Sequence, residues 1–135
     1  VDTLISARDE ARARAAKLPE NDPARKKAAE FANLLEAIRS DLVATKEGGG
    51  ITGEEKVREK MGDLYGAINS YDGRPTKSQL DRTNAVAKEF QEADSKFQNA
   101  VATALPALNA DLQKKSLEPI TIMSRDDWEK AHSKD

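Results

Sequence analysis

The sequence predicts an all-α fold, a mostly antiparallel up-and-down helical bundle. Composition is the first sign. Of 135 residues, 38% are hydrophobic, and 21 are Ala. Leu, Ile, Val and Phe together are just under a fifth of the chain, and aromatics only 4%. Abundant Ala, Glu, Lys, Arg and Leu is the composition of long helices. The second sign is apolar residues spaced alternately by three and four, as on one face of a helix. The third is helix punctuation: capping patterns and Gly or Pro breaks between the periodic stretches.

The bulk figures exclude several classes. A net charge of −2 and pI ≈ 5.6 argue against a dedicated nucleic-acid binder, which needs a basic face. The chain has no Cys, so a disulfide scaffold is excluded. No apolar run approaches the ~20 residues of a membrane span. The start, Val1-Asp2-Thr3-Leu4, shows neither an initiator Met nor a leader pattern. We therefore expect one domain over 1–135, either a processed product or a domain cut from a longer chain.

Segment one runs from Asp2 to about Leu18. Leu4, Ala7, Ala11, Ala15 and Leu18 form its stripe. Pro19 to Asp22 ends it. Because the stripe is rich in Ala and weak as a core contributor, this helix is the expected interaction surface.

Segment two opens on Asp22-Pro23, a capping side chain followed by a residue suited to the first helical position. Ala24, Ala28, Phe31, Leu35, Ile38 and Leu42 form a heptad seam, and Leu34 widens it. The helix is expected to reach about Lys46 and stop at Gly48-Gly49-Gly50.

Segment three opens on Thr52-Gly53-Glu54-Glu55, a capping-box pattern. Val57, Met61, Leu64, Ile68 and Tyr71 carry its seam. Gly62 and Gly66 weaken the helix and can admit a close neighbour. Asp72-Gly73-Arg74-Pro75 ends it as a turn.

Segment four opens on a second capping box, Thr76-Lys77-Ser78-Gln79. Its stripe is Leu80, Ala87, Phe90, Phe97, Val101, Leu105, Leu108 and Leu112. Asp94 interrupts it. A helix to Lys115 would be roughly 58 Å long. Pro106 predicts a kink or a short break. Segments three and four should pack through Leu64, Ile68, Tyr71, Leu80 and Phe90.

Residues 117–123 read as an extended strap, and Ser124 to Trp128 as the first turn of a last short helix. Trp128, the only Trp, either pins this tail to the bundle or anchors a partner.

Chemistry-bearing motifs are scarce. The glycines from 48 to 53 have the outer spacing of a P-loop, but Glu54-Glu55 stand where Lys and Ser or Thr are needed. One His and no Cys leave zinc without its usual ligands. Glu55, Glu59 and Asp63 interleave with Lys56, Arg58 and Lys60, as on a solvated face. His132 reads as an exposed tail residue. No catalytic, cofactor-binding or metal-binding residue is assigned. The turn at 71–76 either locks a helix corner or presents Tyr71 and Arg74 as an epitope.

Several stretches together resemble a known family. They are Gly49-Gly50-Ile51-Thr52-Gly53-Glu54-Glu55, Arg58-Glu59-Lys60, Leu64-Tyr65-Gly66-Ala67, and Tyr71-Asp72-Gly73-Arg74-Pro75-Thr76 with Gln79-Leu80. Leu105-Pro106-Ala107-Leu108-Asn109 and the tail from Leu117-Glu118-Pro119-Ile120 to Trp128-Glu129 complete the set. The chain resembles the C-terminal helical region of large bacterial proteins with sortilin-like or Asp-box β-propeller repeats. Such proteins are commonly labelled glycosyl hydrolases. The resemblance covers nearly the whole chain, and no catalytic residue of the family maps onto it. It implies an exported parent, periplasmic or extracellular.

The expected function is a non-catalytic structural or interaction module. Its partner is the parent propeller or a second copy, and no cofactor is implied. Tyr65, Tyr71, Arg74 and Trp128 are the candidate interaction residues. The rival is a carbohydrate-binding or glycoside-hydrolase accessory domain, with Tyr65, Tyr71 and Trp128 as sugar platforms exposed together. A third, weaker reading is an adaptor holding a peptide between segments one and two.

Overall fold

A computed structural model describes residues 1–43, 56–70 and 72–133. The described residues form five α-helices and no strand: α1 Asp2–Ala16, α2 Pro23–Leu42, α3 Val57–Asn69, α4 Lys77–Lys114 and α5 Arg125–His132. The triple glycine, the Thr52–Glu55 capping pattern and Tyr71 lie outside these residues. The fold is all-α, with helices packed on one another. The chain divides into two compact units, and both α2 and α4 contribute to each. Unit 1 is Val1–Arg39 with Phe97–Asp135, and unit 2 is Ser40–Lys96.

Unit 1 draws its core from α1, α2 and α4. Leu4, Ala7, Ala11 and Ala15 of α1 are buried, as are Phe31, Leu35 and Ile38 of α2 and Leu105, Leu108 and Leu112 of α4. Ala7 and Ala11 are wholly inaccessible. The Ala stripe is therefore consumed inside the unit rather than presented outward. Small side chains let α1 approach its neighbours closely, so each Ala contributes contact despite its size. Leu34 is 42% exposed and does not widen the core.

Helix starts follow local chemistry. Asp22 accepts the Ala24 N–H at 2.9 Å and caps α2. Its other oxygen pairs with Lys115 at 3.0 Å. At α4, Gln79 Oε1 accepts the Thr76 N–H at 3.0 Å, and Thr76 Oγ1 accepts the Gln79 N–H at 3.2 Å. That is the reciprocal capping box read from the sequence. Helix α3, by contrast, begins at Val57, after an extended Lys56 with φ −117° and ψ −176°. The Glu59 carboxylate accepts the Lys56 N–H there, at 3.2 Å.

Pro106 lies inside α4, and the helix continues through it without a break. Beyond α4, Ser116 takes φ 58°. The Leu117 N–H reaches back to the Leu112 carbonyl and the Ser116 N–H to that of Gln113, both at 3.0 Å. This is a Schellman stop.

Residues 117–124 are neither helix nor strand. Lacking a ladder, their backbone groups need side-chain partners. Asn109 binds both polar groups of Ile120, whose side chain is 2% exposed. Arg14 donates to the Glu118 carbonyl at 3.0 Å, and Thr3 to that of Met123 at 3.2 Å. Ser124 then caps α5 by accepting the Asp127 N–H.

Candidate functional site

Unit 2 holds the feature that sequence patterning missed. Its buried apolar residues among those described are Leu42, Val43, Val57, Leu64, Val86 and Ala93. Large apolar side chains beside them stay in water: Met61 at 52% exposed, Tyr65 at 70%, Leu80 at 52% and Phe90 at 50%. The expected packing of segments three and four through Leu80 and Phe90 is thus corrected. Leu64 is buried, Ile68 is half-buried, and Phe90 and Leu80 face solvent.

The reason is geometric. Within unit 2, Val86 and Ala93 are the buried positions of α4. At 3.6 residues per turn, Leu80 and Ala87 lie about 100–140° round the helix from them, and Phe90 about 40–60°, at the margin of the buried positions. This part of α4 therefore carries one broad apolar face. Its Val86 and Ala93 side is buried, and Leu80, Ala87 and Phe90 are left on the surface.

Part of this face, with the buried Val86 at its floor, forms one wall of a groove of about 370 Å3. Helix α3 supplies Met61, Leu64, Tyr65 and Ile68, at i, i+3, i+4 and i+7. Helix α4 supplies Thr83, Val86, Ala87 and Phe90 at the same spacing. Among the described residues, no charged side chain lines it. Thr83, which with Tyr65 supplies the lining hydroxyls among the described residues, donates to the Gln79 carbonyl at 2.8 Å. The opposite side of the hairpin is polar: Lys60 Nζ donates to Glu89 at 2.9 and 3.0 Å, and Lys96 to Asp41 at 2.9 Å. Asp41 raises the Lys96 ammonium above its ordinary value. These exposed pairs set register more than stability.

The groove's chemistry is hydrophobic docking. It offers apolar walls at helical spacing and no convergent acids, bases or nucleophiles. A helix laid into it could meet both walls through its own i, i+3, i+4 and i+7 positions.

The other predicted residues are dispersed. Arg74 is exposed in the bend at 72–74. Tyr71 lies outside the described residues. Trp128 is half-buried on α5 and belongs to unit 1, whereas Tyr65 belongs to unit 2. The Trp128 ring stacks on His132 with centroids 4.3 Å apart and planes 19° from parallel. His132 Nδ1 lies 2.8 Å from the Trp128 carbonyl. The pair borders an open cleft of about 510 Å3 with Asp2, Ile5, Asp9, Glu10 and Arg14 of α1.

No known protein family, curated protein or solved structure matches this chain. Among the described residues, no group of acids or imidazoles could hold a metal ion. Among them too, no helix is long and apolar enough to cross a membrane.

Proposed function

We propose that this chain is a non-catalytic interaction module that works by packing helix faces against a partner domain or a second copy. The observation that carries this reading is the apolar α3/α4 groove. A contiguous exposed apolar patch on a soluble protein often marks a binding surface. The walls hold side chains that fill pockets in recognition, Tyr65, Phe90 and Met61, and lack the converging polar groups of a reaction site.

By its resemblance, the module lies C-terminal to a β-propeller in an exported bacterial protein. It tethers or caps the propeller, or mediates its assembly. The alternative, a carbohydrate-binding accessory domain, draws support from the Trp128 cleft, where an aromatic ring meets Asp9 and Glu10. It has less weight, because Tyr65 lines an apolar groove in the other unit.

Calorimetry and light scattering on residues 1–135 against the parent propeller test the module reading. Saturable binding or self-association supports it. A monomer that takes up no propeller counts against it. The complete reading frame tests the context: propeller repeats upstream support the placement, and their absence removes it. A glycan array that shows binding abolished by Trp128→Ala would favour the alternative.

A further inference from the structure

We infer that residues 117–133, the strap and α5, form a latch that opens as one unit while the helices beneath it stay folded. This goes beyond the interaction-module reading and does not depend on it. Three observations carry it.

The first is how little of the tail is buried. From 117 to 133, Ile120 is the one buried residue, and α5 has none. Leu117, Ile122, Met123 and Trp128 are half-buried. A helix of 8 residues is too short to stand alone in water, so α5 depends on its docking. That docking is loose. Trp128 borders two open clefts, the one of about 510 Å3 and another of about 400 Å3 with Val1, Asp2 and Thr3. Where a side chain faces open space it has no partner atoms, and their attraction is missing.

The second is the kind of bond that holds the tail. Among the described residues, no backbone-to-backbone bond joins 118–133 to an earlier helix. The strap hangs on side chains instead: Asn109 at Ile120, Arg14 at Glu118, Thr3 at Met123 and, at 3.5 Å, Glu10 at Thr121. The hydrogen bonds and the ion pair of α5 fall within 124–133 among the described residues. A segment with few buried contacts and exposed hydrogen bonds opens at a fraction of the global unfolding free energy.

The third is the joint. The strap leaves α4 at Ser116, with φ 58°. The left-handed conformation is strained for a residue with a side chain, and lifting the strap relieves it. Opening uncovers Asn109 of α4 and Thr3, Glu10 and Arg14 of α1 together. Access to this face is therefore coupled to release of the tail.

The test is native-state amide exchange on residues 1–135, under conditions where the rate reports the opening equilibrium. The Ile120 N–H reads the strap. The N–H of Leu35, a wholly buried residue of α2, reads the helices beneath. Ile120 should exchange about a hundredfold faster than Leu35. Ile38→Val removes one buried methylene, and should quicken Leu35 about two- to tenfold while leaving Ile120 unchanged. Trp128→Ala should quicken Ile120 by about threefold or more, because α5 and the strap open together. An Ile120 amide as slow as Leu35, or one that follows Ile38→Val in step, overturns the inference, since the tail then opens only with the whole fold. An Ile120 amide indifferent to Trp128→Ala also overturns it, since strap and α5 then move separately. Circular dichroism checks folding. If Trp128→Ala loses more helix than α5 holds, the milder Trp128→Phe replaces it and is judged by the same outcomes.

Discussion

The side chain of Asn109 holds the backbone of Ile120 from both sides. Its Oδ1 accepts the Ile120 N–H at 2.8 Å, and its Nδ2 donates to the Ile120 carbonyl at 3.0 Å. The amide thus imitates a strand neighbour at the one residue of the tail whose side chain enters the core. Asn109→Ala leaves two partly buried backbone groups unpaired. A loss of about 1–3 kcal/mol in urea unfolding is expected. Asn109→Asp keeps the acceptor and loses the donor, so its loss should be smaller. Amide exchange at Ile120 should quicken in both.

Ser116 closes α4 with φ 58°, in the left-handed region that disfavours side chains. Glycine adopts it freely. Ser116→Gly should stabilise the protein by up to ~1 kcal/mol, and Ser116→Val should destabilise it, because a β-branched residue resists this conformation. Denaturant midpoints compared with wild type decide the sign.

The Thr76–Gln79 capping box predicts a graded series. Thr76→Ala removes the acceptor for the Gln79 N–H and should cost about 1 kcal/mol. Thr76→Asp restores an acceptor and should recover most of it. Thermal melts of the three chains at one concentration test the order.

Ala11 has no accessible surface. A larger side chain there has no space, so Ala11→Leu should destabilise by about 1–3 kcal/mol through overpacking. Arg12, the next residue, is exposed and serves as the control: Arg12→Leu should change the urea midpoint little.

Three carboxylates make stability depend on acid. Arg8 donates to Glu36 and holds it below its ordinary value of 4.5. The Ala24 N–H, then Lys115, lowers Asp22 from 3.8. Lys27 lowers Asp111 from 3.8. Each native value is depressed, so the unfolded chain binds protons first as pH falls. The stabilisation is complete above about pH 5 and is lost as pH drops through the native values. Urea midpoints from pH 7 to pH 2 should fall below about pH 4.5. Asp22→Asn keeps an oxygen for the Ala24 N–H but cannot titrate, so its midpoint should depend less on acid.

Local chemistry is readable in the residues themselves. Asp22-Pro23, Thr76 with Gln79, and Ser124 each announce a helix start because a short polar side chain and the next backbone N–H groups meet within one turn. The seam Ala24, Ala28, Phe31, Leu35, Ile38 and Leu42 is equally readable, and every member is buried. Helical periodicity is a property of the chain alone, and so is the all-α class that follows from it.

What a stripe faces is not a property of its own helix. By side-chain size the Ala stripe of α1 is weak, yet Ala7 and Ala11 are the least accessible residues of that helix, since small residues admit close approach. By spacing Leu80 and Phe90 belong to a core, yet they stand half in water, while Val86 and Ala93 on the same broad apolar face are buried. Of the kink or break that Pro106 predicts, the break is absent, because α4 runs through it. A low content of large apolar residues is enough to predict long helices and a modest core. Where that core runs out is settled by packing. Positions across one broad apolar helix face are alike in the sequence, and burial falls to those that a neighbouring helix can reach.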